Sequence, residues 1–302
     1  MTKALSKKAR TNGMLLFLAM IWGGSFVSAK LAMESFDPYF IMVLRFFVGA
    51  AVMALCFPKE WKKVDKITAL GGVEIGLLLG VGTALQMVGL IYTTPANQTF
   101  IIVSYVITVP LLRFLITGVR PGKNIVVAAL FTVIGVGFLT LGPSFALNRG
   151  DVMTFIMALL FAVQILRIDR YMPHIESTVA FTAVQLFVAA AVSLVLFFFQ
   201  GDGTVTGPVT VKSMVAMAYI VLLNTALGYY LQNGAQRDAS PDESALIISS
   251  ESLFGTFAAY FFAGEVFYPK KIVGCLFILA GQCMAQVLPA IRKIAAQRRI
   301  SM

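Results

Sequence analysis

Long apolar runs alternate along the chain with short polar, mostly basic, connections. Ten runs have about the 18–25 residues that cross roughly 30 Å of hydrocarbon at about 1.5 Å per residue. They are Asn12 to Met33, Pro38 to Phe57, Ala69 to Tyr92, Asn97 to Thr117, Ile125 to Gly142, Asp151 to Met172, Val179 to Phe199, Ser213 to Gln232, Ser244 to Ala263 and Ile272 to Pro289. Strands of a membrane barrel alternate apolar and polar positions over about ten residues. These runs are continuous and about twice as long, and backbone groups in lipid must pair internally, so the pattern predicts helices throughout. The first run follows Lys3, Lys7, Lys8 and Arg10, as the core of a secretory leader would. It is too long for one and lacks a small-x-small cleavage site, so a retained helix is expected.

Composition agrees with an integral membrane protein: 59% of the 302 residues are hydrophobic and only 13% charged. The net charge of +10 is a topology signal rather than a nucleic-acid footprint, because of where the basic residues fall. In a ten-helix path, Lys3, Lys7, Lys8, Arg10, Lys59, Lys62, Lys63, Lys66, Arg120, Lys123, Arg170, Arg237, Arg292, Lys293, Arg298 and Arg299 share one side. Arg149, Lys212, Lys270 and Lys271 lie on the other. That asymmetry predicts a multi-pass protein of the cell membrane with both termini cytoplasmic. Cys56, Cys275 and Cys283 sit in apolar runs without metal-ligand spacing and read as buried thiols. His174 is the only histidine, so a His-Glu-x-x-His zinc helix is excluded; Walker A and Gly-x-Ser-x-Gly motifs are also missing. No enzyme activity, metal or cofactor is expected.

The stretch from Thr94 aligns without gaps on the stretch from Ser240. Pro95 meets Pro241, Ile101-Ile102 meets Ile247-Ile248, Ser104 meets Ser250, Leu130-Phe131 meets Leu276-Phe277, and Gly135 meets Gly281. The offset sets the fourth and fifth predicted helices on the ninth and tenth. Each half then holds five helices, and an odd number inserts the halves in opposite orientations. The expected fold is therefore all-α, with ten transmembrane helices in two inverted five-helix repeats. Residues 1–142 hold the first repeat with its basic cytoplasmic tail, 150–290 the second, and 291–302 a basic cytoplasmic tail. Such repeats are the architecture of carriers with a site near the midplane.

The chain resembles the drug/metabolite transporter superfamily, specifically its EamA-type ten-helix carriers. The resemblance covers nearly the whole chain. It rests on "IWGGSFVSAKLAM", "PYFIMVLRFFVGA", "YTTPANQTFIIVSYVITVPLL", "GDVMTFIMALLFAVQILRIDRY", "NTALGYYLQNGAQRDASPDESALIISSESLFGTFAAYFFAGE" and "IVGCLFILAGQCMAQ". Two departures are "GVRPGK", where such proteins often show a Gly-Glu-Arg-Pro-like turn, and Ser252, where a proline usually follows the glutamate. The resemblance implies export or uptake of small metabolites or drugs.

Ionisable groups inside the bilayer are costly, at about 2.5–3.5 kcal/mol on insertion scales, and so mark paths or partners. Arg45, Glu74, Arg113 and Lys30 are the candidate intramembrane charges, with Lys30 near enough to the outer surface to snorkel. Arg167, Asp169 and Arg170 read as an ion-pair cluster at the cytoplasmic end of the sixth predicted helix. Glu251 lies deep in the ninth and shares a face with Ser244, Ile248, Gly255 and Ala259; Leu246, Leu253, Phe257 and Tyr260 fall opposite, toward lipid. The repeat sets Tyr105 against Glu251. With Gln86, Gln164, Asn224 and Tyr229 they form the expected substrate path, suited to amino acids, aromatic metabolites or organic cations. Gly23 and Gly24 are hinge candidates, and Gly72, Gly76, Gly80 and Ala84 form a small-residue stripe. The function expected is a secondary transporter that exports a small molecule by alternating access, with a proton as a candidate coupling ion, as a monomer or homodimer. The runner-up is a passive channel or a non-transport membrane assembly protein.

Overall fold

The computed structural model describes residues 2–93, 95–140, 148–263 and 269–284. The tail at 291–302, the connection at 141–147 and the tenth predicted helix beyond residue 284 lie outside the described residues. Among the described residues the only strand-like pairing is one isolated bridge between Phe36 and Val205, and the named elements are helices. In order, it comprises α1 (Thr2–Met33), α2 (Pro38–Cys56), α3 (Lys66–Tyr92), α4 (Pro95–Ile102), α5 (Tyr105–Thr117), α6 (Lys123–Thr140) and α7 (Arg149–Tyr171). Then come α8 (Thr178–Gln200), α9 (Val211–Ala218), a π-helical segment (Tyr219–Leu227), α10 (Gly228–Gln236), α11 (Pro241–Ile248), α12 (Glu251–Ala263) and α13 (Pro269–Gln282). Among the described residues, eight stretches are long and apolar enough to cross a bilayer: Lys7–Met33, Pro38–Cys56, Lys66–Tyr92, Gln98–Thr117, Arg149–His174, Thr178–Gln200, Val211–Gln236 and Pro241–Phe262. The chain is thus an all-helical, multi-pass membrane protein.

Local chemistry sets the helix ends. The Asp37 carboxylate accepts from the amides of Tyr39 (2.8 Å) and Phe40 (3.0 Å) at the start of α2. Asn148 and Asp151 form a reciprocal capping box on α7, and Ser177 and Ser240 cap α8 and α11. Gly118 ends α5 with φ 71°, a left-handed position that favours glycine. The basic N-terminal segment, expected as a tail, is instead the first turns of α1.

The fourth and ninth predicted helices, expected as single rods, are each broken. The breaks fall at Val103-Ser104, between α4 and α5, and at Ser249-Ser250, between α11 and α12. They are equivalent residue by residue: α4 and α11 start 146 residues apart (Pro95 and Pro241), as do α5 and α12 (Tyr105 and Glu251) and α6 and α13 (Lys123 and Pro269). Even the hydrogen bonds recur. The Ser104 and Ser250 amides both reach back three residues, to Ile101 and Ile247, at 3.1 Å, and the Ile107 and Leu253 amides bond to Ser104 and Ser250 at 3.0 Å. Neither break needs a proline at its centre. Short serines compete for backbone carbonyls there: the Ser249 hydroxyl donates to Leu246 at 2.5 Å and that of Ser252 to Ser249 at 2.8 Å.

The small-residue stripe of α3 faces α8. A Cβ on Gly72, Gly76 or Gly80 would meet Val184, Val188 or Val192, so two ladders at steps of four interlock. Helices α6 and α13 cross where Gly135 approaches the Gly274 carbonyl and Gly281 that of Ala128. Phe131 and its equivalent, Phe277, meet there at a tilt with centroids 5.4 Å apart. The outward faces of the bundle carry exposed Leu, Phe, Val and Ile, as lipid contact requires. Of the three cysteines expected to be buried, only Cys275 is; Cys56 and Cys283 are exposed.

One end of the bundle, here the basic end, gathers Lys7–Asp238, Lys8–Glu243 and Lys63–Glu176 ion pairs. At the opposite end the α8–α9 connection straps the α1–α2 turn. The Thr206 amide donates to the Ser35 carbonyl at 3.0 Å, and the Ser35 hydroxyl to that of Pro208 at 2.7 Å.

The stripe yields a stability prediction. A Cβ on Gly76 would lie 2.6 Å from the Gln185 carbonyl and from Val188 Cβ, so Gly76→Ala should lower stability by about 1–3 kcal/mol. Gly13, in open space on α1, should accept alanine neutrally or with a gain of up to about 1 kcal/mol. Melting temperatures of the two variants in detergent should therefore move apart; equal shifts would contradict the interlocked packing.

Candidate functional site: a central cavity with two unpaired charges

The breaks decide where the polar groups go. By ending α11 at Ile248, the chain begins α12 on Glu251 and sets its carboxylate at a helix N-terminus, where the backbone dipole favours an anion. Glu251 is only 3% exposed, and Tyr105, at the first residue of α5, donates its hydroxyl to Glu251 Oε1 at 3.2 Å. These two residues are repeat equivalents, so the pair joins the two breaks directly. The expectation that Leu246 faces lipid fails for the same reason: the break turns α11 away from the line of α12, and Leu246 is 1% exposed. Phe257 and Tyr260 beyond it are exposed.

The second buried charge is Arg45 of α2. Its Nε donates to Thr225 Oγ1 at 2.8 Å, its Nη2 donates to Asn224 Oδ1, and its guanidinium lies 5.1 Å from the Phe46 ring centroid. Asn224 and Thr225 belong to the π-helical segment, whose wider turn is marked by a 2.8 Å bond from Thr225 Oγ1 to Ile220 O. All of these partners are neutral. Among the described residues, neither Arg45 nor Glu251 takes part in an ion pair.

Both residues line one cavity, whose volume open to a water-sized sphere is about 60 Å³. Its walls run from the middle of the bundle toward the opposite end. They comprise Trp22 to Ala29 of α1, Leu78 to Leu90 of α3, Met157 to Gln164 of α7, and Gln98, Ile220 and Asn224. Aromatic rings hold the walls apart. Trp22 meets Phe161 at 5.7 Å and Tyr229 at 5.5 Å, Tyr105 meets Phe161 edge-on at 5.0 Å, and Phe46 meets Tyr229 at 6.5 Å. The Trp22 indole N–H is used in packing, on the Asn224 carbonyl at 3.1 Å. The resulting chamber has an aromatic middle, a buried arginine on one wall and a buried glutamate on another. That is chemistry for orienting a small amphipathic solute.

Of the predicted path residues, Glu251, Gln86, Gln164, Asn224 and Tyr229 line the cavity. Tyr105 stands behind Glu251 and is fully buried. Gln164 is 2% exposed, and its Nε2 has no partner among the described residues. The other predicted charges lie elsewhere. Glu74 is gripped by both Nε and Nη2 of Arg167 and by the Tyr171 hydroxyl at 2.7 Å; Arg113 pairs with Asp242 at 2.8 Å; Lys30 is exposed. Gly23 and Gly24 do not interrupt α1. A Cβ on Gly23 would lie 2.6 Å from the Glu251 carbonyl and one on Gly24 2.5 Å from the Tyr219 hydroxyl, so both allow close approach. Sequence reasoning did not select Gln98 or Thr83, both buried cavity residues. Gln98 also donates to the Gln86 carbonyl at 2.7 Å. The repeat alignment held the signal for Gln98: it stands at the place of Ser244, within the broken helix that carries Glu251 in the other half.

Comparison with known proteins gives a consistent picture. The model of the EamA-like transporter family matches residues 10–141 and again residues 148–285. An uncharacterized transporter of Archaeoglobus fulgidus is 28% identical over 265 residues, which cover 88% of this chain and 82% of that protein. The uncharacterized transporter YyaM of Bacillus subtilis is 24% identical, covering 89% and 90%, and one from Clostridium kluyveri is 22% identical, covering 88% and 90%. A solved crystal structure superposes with a TM-score of 0.77 at 16% identity, over 92% of this chain and 97% of that one, and shares the fold.

The Arg45 contacts give a second prediction. Removing the guanidinium leaves Asn224 Oδ1 without its donor in the core, at about 1–3 kcal/mol for a buried group left unsatisfied, and takes one of the two bonds of Thr225 Oγ1. Arg45→Ala should therefore lower yield and melting temperature more than Arg45→Lys, which keeps the charge and some donors. Wild-type yield and melting for the alanine variant would contradict the buried network.

Proposed function

Because the chain belongs to the EamA-like transporter family, we propose that it is a secondary carrier moving a small metabolite or drug-like solute across the cell membrane by alternating access. The proposed direction is export. The full architecture in this reading is ten helices in two inverted five-helix halves, 1–142 and 150–290, with both termini cytoplasmic. Support comes from the elements that recur 146 residues apart (Pro95 and Pro241), from the two successive family-model matches and from the basic residues gathered at one end.

The observation that carries the reading is the chamber with one guanidinium and one carboxylate that do not neutralise each other. A buried charge without an ionic partner is costly. A solute that brings the missing charges relieves both at once. Within the amino-acid, aromatic-metabolite and organic-cation range, this favours a zwitterion: its anionic group on Arg45, its cationic group on Glu251, its apolar part against Trp22, Phe161 and Tyr229. A coupling proton is assigned to Glu251, the one carboxylate that lines the chamber. A passive channel fits less well, because the cavity's walls stop at mid-bundle.

Two experiments test this. Glu251→Gln keeps shape and hydrogen bonding but removes the charge. It should give a folded protein whose transport in proteoliposomes falls at least about tenfold or loses its pH dependence. Normal transport by the glutamine variant at every pH makes the acid a packing element and refutes its assignment. For topology, reporter fusions at Asp202 should read outside and those at Lys62 and Arg120 inside; the reverse pattern refutes the orientation.

A further inference from the structure

The cavity stops at mid-bundle, yet polar side chains continue past it toward the basic end. On α10, Tyr229 lines the cavity, and Gln232 and Gln236 follow on the same helical face, one and two turns further. Both glutamines are at most 2% exposed. Neither Gln232 Nε2 nor Gln232 Oε1 has a hydrogen-bond partner among the described residues, and the same is true of Gln236 Oε1, Gln164 Nε2 on α7, and Ser244 Oγ and Asp242 Oδ1 on α11. Native interiors rarely strand buried polar atoms, and a cluster of them needs an explanation. A packing-only interface between three helices would carry apolar side chains here.

Broken symmetry supplies the second observation. The repeat maps the contact between α5 and α11, at the basic end, onto a contact between α12 and α4 at the opposite end. Helices α5 and α11 do pack on each other; α12 and α4 have no comparable packing among the described residues. At the packed junction Arg113 bridges to Asp242 at 2.8 Å, with the Asp242 side chain only 6% exposed. The sequence puts alanines, Ala259 and Ala96, at the equivalent places of the other junction. One junction carries an ion pair, and among the described residues the other carries none.

From these two observations we infer that the amide-lined seam between α7, α10 and α11 is the cytoplasmic half of the solute path, closed in this conformation, and that the Arg113–Asp242 ion pair is the latch that holds it shut. The inference rests on the carrier reading and on its orientation. When the seam opens, water or solute satisfies Gln164, Gln232, Gln236 and Ser244. When it closes, the charge pair offsets the cost of stranding them. The conformation described here is the one open away from the cytoplasm. The latch sets the balance between the two states without touching the solute in the chamber.

The test is thiol accessibility. Cys56, Cys275 and Cys283 are replaced by serine, Gln232→Cys is introduced, and a membrane-impermeant maleimide is applied to either face of sealed, oriented vesicles. Ser244→Cys serves as a second reporter, and only variants eluting as a single species are compared. With the latch intact both reporters should label slowly. Adding Asp242→Asn should raise the rate from the cytoplasmic face about tenfold, a shift of about 1.4 kcal/mol in the opening equilibrium, and leave the other face unchanged. The exchanged pair Arg113→Asp with Asp242→Arg should restore slow labelling. Rates indifferent to Asp242→Asn, an increase from the opposite face, or inert reporters in every background each overturn the inference. Labelling reads the opening of the seam and not transport, so a failed carrier reading and a failed latch give different results.

Discussion

The hydrogen bond between Tyr105 and Glu251 is the contact on which the arrangement turns. It links the first residue of α5 to the first residue of α12, at two helix breaks that the repeat makes equivalent. An unbroken ninth helix would keep its backbone bonds but leave the carboxylate without a helix N-terminus to face. Breaking both helices costs backbone hydrogen bonds in a medium that cannot replace them. The serines at the breaks recover some of these bonds locally, and the break places a charge at the wall of the central cavity.

The remaining charges divide by role. Glu74–Arg167 and Arg113–Asp242 are ion pairs set toward the basic end, each joining two helices. Arg45 and Glu251 are buried without ionic partners and line the same cavity. In the proposed function, a solute carrying both charges would supply the partners that the two residues lack.

Much of this was legible in the sequence. Run length and continuity gave the helical membrane class, and the alignment of Thr94 onto Ser240 placed Tyr105 against Glu251, where the structure has them in contact. Five of the six predicted path residues line the cavity, because depth in an apolar run together with a polar side chain is a real physical signal there. The breaks were not legible. Hydropathy averages over about twenty residues and cannot register a two-residue interruption by serines. Leu246 was misplaced for that reason alone. Arg45 stands in the sequence as one of four intramembrane charges without a partner, because sequence gives no distance between helices; only the fold shows that its partners are neutral. Gly23 and Gly24 looked like a hinge, since paired glycines weaken a helix; the structure uses them for close contact with α12 and Tyr219.

The central claim is that one chamber binds a solute through Arg45 and Glu251 together and carries it between two faces. Counterflow into proteoliposomes tests it most directly. Vesicles are preloaded with an unlabelled neutral amino acid such as phenylalanine, and entry of the labelled compound is compared with that of phenethylamine, which lacks the carboxylate, and phenylpropionate, which lacks the ammonium. The account predicts saturable, trans-stimulated entry of a zwitterion and none of its singly charged analogues. Entry that rises linearly with concentration, is indifferent to preloading, or treats the three compounds alike would contradict it.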